Sequence, residues 1–264
     1  LVLAACDQST PKAITAPDAS VQAAATVTKR DIGTLGGTNA YAMAINDSNQ
    51  VAGHSDVKPS GHKAFIWKAG TFTTLPNLAG SNTSVANGIN SKGQVVGYVS
   101  ITQINFHAAF WRTRTTVQDL GTLGGPRSIA YAINTAGTIV GASDISQNQN
   151  RPFIWQNGTM TALATLGGPD DHAAVAINTA GIIVGQSENR LGAHRAVKWV
   201  NGVINDLGDL GGGMAFATGI NDAGDIVGGS RLPNNQIHAF LIPHGGTMKD
   251  LGVLPGGVSS QASG

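Results

Sequence analysis

Short apolar runs alternate along this chain with clusters of Gly, Asn, Asp, Ser and Thr, and no long window keeps an apolar period of 3.6. The runs come in a fixed order of four. The first is small and apolar and ends in Ile-Asn: Ala40–Asn46, Ser84–Asn90, Ala130–Asn134, Ala173–Asn178 and Phe216–Asn221. The second reads QVAGHS, QVVGYVS, TIVGAS, IIVGQS or DIVGGS. The third ends at Trp67, Trp111, Trp155, Trp199 or Ile242, and the fourth leads into a Leu-Gly-Gly element, as in Val117–Gly125. Ile45, Ile89, Ile133 and Ile177 stand 44 residues apart, and so do the four tryptophans. Two unrelated markers sharing one period identify a repeat architecture.

Runs rich in Val, Ile, Phe and Trp suit a pleated, packed surface. Asn157-Gly158 and Asn201-Gly202 stand between the third and fourth runs, and both central residues of a type I′ hairpin turn need positive φ. Four short antiparallel strands per 44 residues is the arithmetic of a propeller blade. The predicted fold is therefore an all-β propeller with five near-complete repeats. Small residues in the first run place it innermost, where blades converge. Asn134 ends such a run before a turn closed by Gly137, which predicts that it caps the turn backbone. The Leu-Gly-Gly runs lack GxxxxGK[ST] and a following helix, so they read as turns between blades and not as phosphate loops. Thr28–Gly37 supplies a fourth run without the first three, and is expected to close the ring by pairing with the last blade. Val258–Gly264 begins a further first run. The expected whole is a fragment of a six- or seven-bladed ring, with early closure at five blades the alternative.

His238-Ala239-Phe240 and His107–Phe110, together with the INxxGxxVG and DLGTLGG stretches, resemble the HAF-repeat family across residues 28–264. That family comprises extracellular bacterial repeats that accompany signal sequences and have no established activity. Arg151 replaces the His in the third copy and Val197 the Phe in the fourth. The resemblance implies a propeller-like repeat domain exported from the cytoplasm.

Composition changes the picture at the N-terminus. Leu3-Ala4-Ala5-Cys6 resembles a bacterial lipobox, which makes residues 1–5 the remnant of a lipoprotein signal peptide and Cys6 the lipid-bearing residue. Cys6 is the only cysteine and cannot pair within the chain. Residues 6–27, with Pro11 and Pro17, read as a flexible tether, and residues 28–264 as the repeat domain. A net charge of +1 provides no nucleic-acid footprint, so membrane contact is expected only through the lipid.

Candidate chemistry is sparse. His62, His107, His194 and His238 sit in four different repeats at what looks like one position, too far apart to share an ion, and are read as structural. No metal or cofactor is expected. Asp170, Asp171 and His172 form the densest ionisable cluster and occur in one repeat only. Alternation of strand direction puts the connections between first and second and between third and fourth strands on one face. The other two connections lie on the opposite face, and they differ from repeat to repeat. Loops on a rigid scaffold commonly carry function. The expected function is that of a membrane-tethered extracytoplasmic propeller binding a protein or glycan partner through Arg127, Asp170, Asp171, His172 and Arg190 on the variable face. One alternative is a polysaccharide glycosidase or lyase using Asp170, Asp171, His172, Arg127 and Tyr131. The other is a structural spacer.

Overall fold

The computed structural model describes residues 30–170 and 172–263, so Cys6, the tether and Asp171 lie outside the described residues. Among them there are twenty strands in five four-stranded antiparallel sheets. The first blade is β1 (Ala40–Ile45), β2 (Val51–Asp56), β3 (His62–Lys68) and β4 (Thr71–Thr74). The second is β5 (Ser84–Ile89), β6 (Val95–Ser100), β7 (Phe106–Thr113) and β8 (Thr116–Asp119). The third is β9 (Ser128–Ile133), β10 (Ile139–Ser146), β11 (Gln149–Gln156) and β12 (Thr159–Ala162). The fourth is β13 (Ala173–Ile177), β14 (Ile183–Glu188), β15 (His194–Val200) and β16 (Val203–Asp206). The fifth is β17 (Ala215–Ile220), β18 (Ile226–Arg231), β19 (Ile237–Ile242) and β20 (Lys249–Asp250). Strands pair in chain order within each blade, and each inner strand from β5 onward packs on the blade before it. The chain is an all-β propeller built from the predicted repeats. The Asn157-Gly158 and Asn201-Gly202 hairpins have φ of 51° and 88° and of 51° and 80°, as a type I′ turn requires.

Every inner strand carries a register shift beside its neighbour, at Ala42/Ala44, Ala86/Gly88, Ala130/Ala132, Ala174/Ala176 and Ala217/Gly219. The bulge drives an inner-strand carbonyl onto the glycine of the second strand. A Cβ on Gly53, Gly97, Gly141, Gly185 or Gly228 would overlap the carbonyl oxygen of Tyr41, Val85, Ile129, Ala173 or Phe216. The repeated glycine in the second run is thus a close-approach residue.

The Ile-Asn asparagines do two jobs. Within its own turn Asn134 Oδ1 accepts the Thr138 N–H at 3.0 Å, as Asn90 Oδ1 accepts those of Lys92 and Gln94. Its amide then reaches the next blade. Asn46 Nδ2 donates to Asn90 O at 2.9 Å, Asn90 to Asn134 O at 3.0 Å, Asn134 to Asn178 O at 3.1 Å and Asn178 to Asn221 O at 3.2 Å. The capping role was legible in the sequence; the ladder between blades was not. Asn134→Ala is expected to lose about 2–3 kcal/mol, because it removes a cap and an inter-blade bond at a buried position. Urea denaturation checks this against Gln147→Ala on an exposed loop. Equal midpoints would remove the ladder as a source of stability.

The Leu-Gly-Gly elements are held by the second strand. The N–H groups of Leu35, Leu123, Leu166 and Leu210 donate to Ser55, Ser143, Ser187 and Ser230 Oγ at 2.8–3.0 Å. This corrects the expectation for Thr28–Gly37. Residues 30–37 form no strand, and residues 33–37 are the first of these turns, seated on β2 through Leu35. The outer strand of the fifth blade is β20. On that blade's far side Ser260 accepts the Ala239 N–H at 2.9 Å, as Ser84 and Ser128 accept those of Ala64 and Ala108. Residues 258–263 therefore occupy the place where a further inner strand begins. On the first blade Tyr41 is 50% exposed, whereas Val85 at the same place on β5 is 5% exposed, so β1 lacks the cover its counterparts have.

Candidate functional site

Strand pairing shows that the four histidines do not share one position. Ser55, Val99, Ser143, Ser187 and Ser230 face Lys63, His107, Arg151, Arg195 and His238, while His62 and His194 stand one residue earlier and face Asp56 and Glu188. A slip of one residue reverses the side a strand residue faces, so the expected equivalence fails. Counting four residues back from each Trp, and from Ile242, finds the true position: it is basic in every blade. Three of these side chains meet a carboxylate at the end of the outer strand. His107 Nδ1 lies 2.9 Å from Asp119, Arg195 Nε 3.0 Å from Asp206, and His238 Nδ1 2.9 Å from Asp250. The same carboxylates accept the N–H groups of Gly121, Gly208 and Gly252 at 2.7–2.9 Å. Each pair ties the third strand to the fourth and starts the next turn. Arg195 also bonds Asp209. Burial opposes charging Arg195, but the hydrogen bonds it donates to Asp206 and Asp209 outweigh it and hold its pKa above the usual value. Where the outer strand ends in Ala162, Arg151 donates instead to the Asn150 and Pro169 carbonyls.

His172 is a second correction. Its side chain is fully buried and is not presented on the loop surface. It occupies the position of Ser84 and Ser128, which accept a backbone N–H from the preceding blade. The third blade has Pro152 there, which has no N–H to give, and the hydroxyl is replaced by an imidazole. Nε2 donates to the Gly168 carbonyl at 3.1 Å, and Nδ1 lies 3.0 Å from Ser187 Oγ. Burial lowers its pKa below the ordinary 6.5. Arg151 acts in the same direction, and the Gly168 bond, Glu188 and Asp170 oppose it. Lowered basicity in the fold means that the unfolded chain takes up more protons below about pH 6.5, so stability is lost as pH falls through that value. The protein should melt lower near pH 5.5 than near pH 7.5, and His172→Gln should flatten that dependence. Thermal melts of both proteins across this range check it; parallel curves would exclude His172 as a source.

Of the other predicted residues, Arg127, Asp170 and Arg190 are described, and they lie along one line of contacts. Arg127, before β9, pairs its Nε with Asp144 Oδ2 at 2.8 Å and holds its guanidinium 5.9 Å from the Phe106 ring. Asp144 faces Asn150 across β10 and β11. The Asn150 N–H donates to Asp170 Oδ1 at 3.3 Å, and the Asp170 N–H donates to Glu188 Oε2 at 3.0 Å. Arg190 lies over Gly167, where an added Cβ would stand 3.0 Å from its Nε. Arg127, Asp170 and Arg190 thus lie on one polar strip spanning neighbouring blades of the loop face. Tyr131, inside β9, is not part of it. The acid–base set of the hydrolase alternative loses His172 to burial.

The opposite face has a cavity of about 200 Å³ at the axis, where Asn46, Asn90, Asn134, Ser91, Thr135, Thr179 and Asp222 converge. Several of its polar groups bond to one another or to the backbone. The asparagine amides form the ladder, the Thr179 N–H donates to Asp222 Oδ1 at 2.9 Å, and Ser91 and Thr135 hydroxyls lie 3.3 Å apart. Among the described residues no three His, Cys, Asp or Glu side chains group so as to hold a metal ion.

This architecture defines the class: a β-propeller of four-stranded antiparallel blades. No protein-family profile matches the sequence, and neither does any curated protein. Solved structures do. The chain is similar to TolB from Acinetobacter baumannii, with a TM-score of 0.55 and 14% identity over 80% of this chain and 56% of that one. It is also similar to a puromycin-hydrolysing peptidase from Mycobacterium tuberculosis, with a TM-score of 0.53 and 12% identity over 80% of this chain and 37% of the other. It therefore spans little more than half of the first and much less of the second. At such identity the likeness is one of fold.

Proposed function

We propose that the chain is a lipid-tethered, extracytoplasmic propeller of the HAF-repeat kind that binds a protein or glycan partner through its loop face. The observation that carries this reading is the strip from Arg127 through Asp144, Asn150, Asp170 and Glu188 to Arg190. In it Arg127 pairs with Asp144, Asp170 accepts the Asn150 N–H and donates its own N–H to Glu188, and Arg190 lies over Gly167, all on the face that varies from repeat to repeat. Pre-ordered polar side chains on a rigid scaffold lose little entropy on binding, which favours recognition there. The turn face repeats one pattern and spends its polar groups on the ladder. The Leu3–Cys6 run supports the tether and the exported address.

A glycan array and a pull-down with the whole chain test the proposal. Arg127→Glu and Arg190→Glu should weaken the captured partner at least about tenfold, while changing stability by less than about 1 kcal/mol. Lys92→Ala, on the exposed turn face, should leave binding intact. Gln156 is a poorer control because its amide donates to Thr138 Oγ1 at 2.9 Å. Binding lost with Lys92→Ala and kept with both arginine variants would place recognition on the other face. A partner indifferent to all three, or no partner on either screen, would reject the proposal.

A further inference from the structure

Four blades carry a tryptophan near the end of the third strand, and the fifth carries Ile242. Pairing makes these one position, since Val51, Val95, Ile139, Ile183 and Ile226 face Trp67, Trp111, Trp155, Trp199 and Ile242. From the second blade onward the indole is a wedge against the blade before it. Trp111 packs with Ala52, Ile66 and Leu75 of the first blade and donates its Nε1–H to the Pro76 carbonyl at 2.8 Å. Trp155 meets the Phe110 ring edge-on at 5.9 Å. Trp199 packs with Val140, Leu163 and Ile154 and donates to the Ala164 carbonyl at 2.8 Å. The residue of the preceding third strand that backs the ring is Ile66, Phe110 or Ile154; in the fourth blade it is Lys198.

Between the fourth and fifth blades both members of the pair have therefore changed, to Lys198 and Ile242. The spacing of the blades has not. Asn178 Nδ2 still donates to Asn221 O at 3.2 Å, and the Leu210 N–H to Ser230 Oγ at 2.8 Å. With the backbones held apart and the filler reduced from an indole to a butyl group, the gap stays open. Protein interiors relax only partly around lost volume. The result is a cleft of about 550 Å³ with a floor of Ile182, Ile220, Ile226 and Ile242, Met248 at one side and Lys198 at its edge. The carboxylate at its edge, Asp206, is engaged by Arg195 at 3.0 Å.

We propose that this cleft is a binding site for a small planar aromatic ligand of the indole class, which takes the place that the tryptophan wedge fills between the other blades. The ring would lie on the isoleucine floor, and the Lys198 ammonium would supply a cation beside its π face. The same ammonium makes a carboxylate on the ligand favourable and an ammonium unfavourable.

Titrating the whole chain with indole, indole-3-acetate and tryptamine tests this, read by calorimetry and by NMR of labelled methionine methyls. Saturable binding of indole is expected with Kd on the order of 0.1–1 mM. Indole-3-acetate should bind tighter, tryptamine weaker, and Lys198→Ala should abolish that ranking. The Met248 methyl should move upfield under the ring current, while Met43, on β1, should not. Ile242→Trp should weaken indole at least about tenfold and raise the melting temperature, since it restores the wedge. If that variant does not fold, Ile242→Phe fills part of the cleft and should weaken indole by a smaller factor. No saturable binding below about 10 mM, an unmoved Met248 methyl, or undiminished binding to a folded Ile242→Trp or Ile242→Phe would each overturn the proposal.

Discussion

Gly141→Ala is expected to destabilise the protein by about 3 kcal/mol or more, a large effect for a single added methyl group. A Cβ at this position would overlap the Ile129 carbonyl oxygen and lie 2.7 Å from Phe153 Cε1. Neither neighbour can yield cheaply. The carbonyl belongs to the bulged inner strand, and Phe153 is fully buried in the core. Relief requires β9 to leave β10, which opens the inner strand pair of the third blade. Equivalent contacts at Gly53, Gly97, Gly185 and Gly228 predict the same penalty in every blade. Urea denaturation reads the effect as a lowered midpoint with an unchanged slope. A Gly141→Ala protein as stable as the parent would mean that the bulge is soft and that the repeated glycine has another cause.

Trp111→Ala should cost a similar amount, about 3–5 kcal/mol. The side chain is 1% exposed and packs with residues of two blades, and its Nε1–H satisfies the Pro76 carbonyl. Alanine leaves a cavity between blades held at fixed spacing by the asparagine ladder, and leaves that carbonyl without its indole donor. Trp111→Phe should recover part of the packing but not the hydrogen bond, and lose about 1–2 kcal/mol. Denaturation of the two variants separates these contributions. A loss below about 1 kcal/mol for Trp111→Ala would show that the wedge is dispensable and that the blades are held by backbone ties alone.

These two residues also mark what could be learned without a structure. Trp111 was visible as a repeated marker, and Gly141 recurred in every second run, but neither role followed from the pattern. A strand glycine signals close approach of something; only the bulge, set by two strands packed together, identifies Ile129 as the neighbour. The loop-face candidates divided in the same way. Arg127, Asp170 and Arg190 broke the repeat and were legible for that reason. His172 broke it too, yet for a packing reason: Pro152, twenty residues earlier, removed a donor, and the imidazole filled the place of the hydroxyl. The basic position at Lys63, His107, Arg151, Arg195 and His238 was hidden because the repeats were aligned on histidine, and the Trp anchor was needed to set the register.

The sequence by itself determined the repeat, its length, the four strands of each blade, the type I′ hairpins and the face that varies, because these depend on local periodicity and turn chemistry within some forty-odd residues. Tertiary structure alone decided what lies between blades: the asparagine ladder, the tie from each Leu-Gly-Gly turn to a serine of the second strand, the burial of His172 and the cleft beside Ile242. Those features join residues one repeat or half a repeat apart. Their partners are chosen by the distance and angle at which one blade meets the next, and no pattern inside a single repeat encodes that geometry.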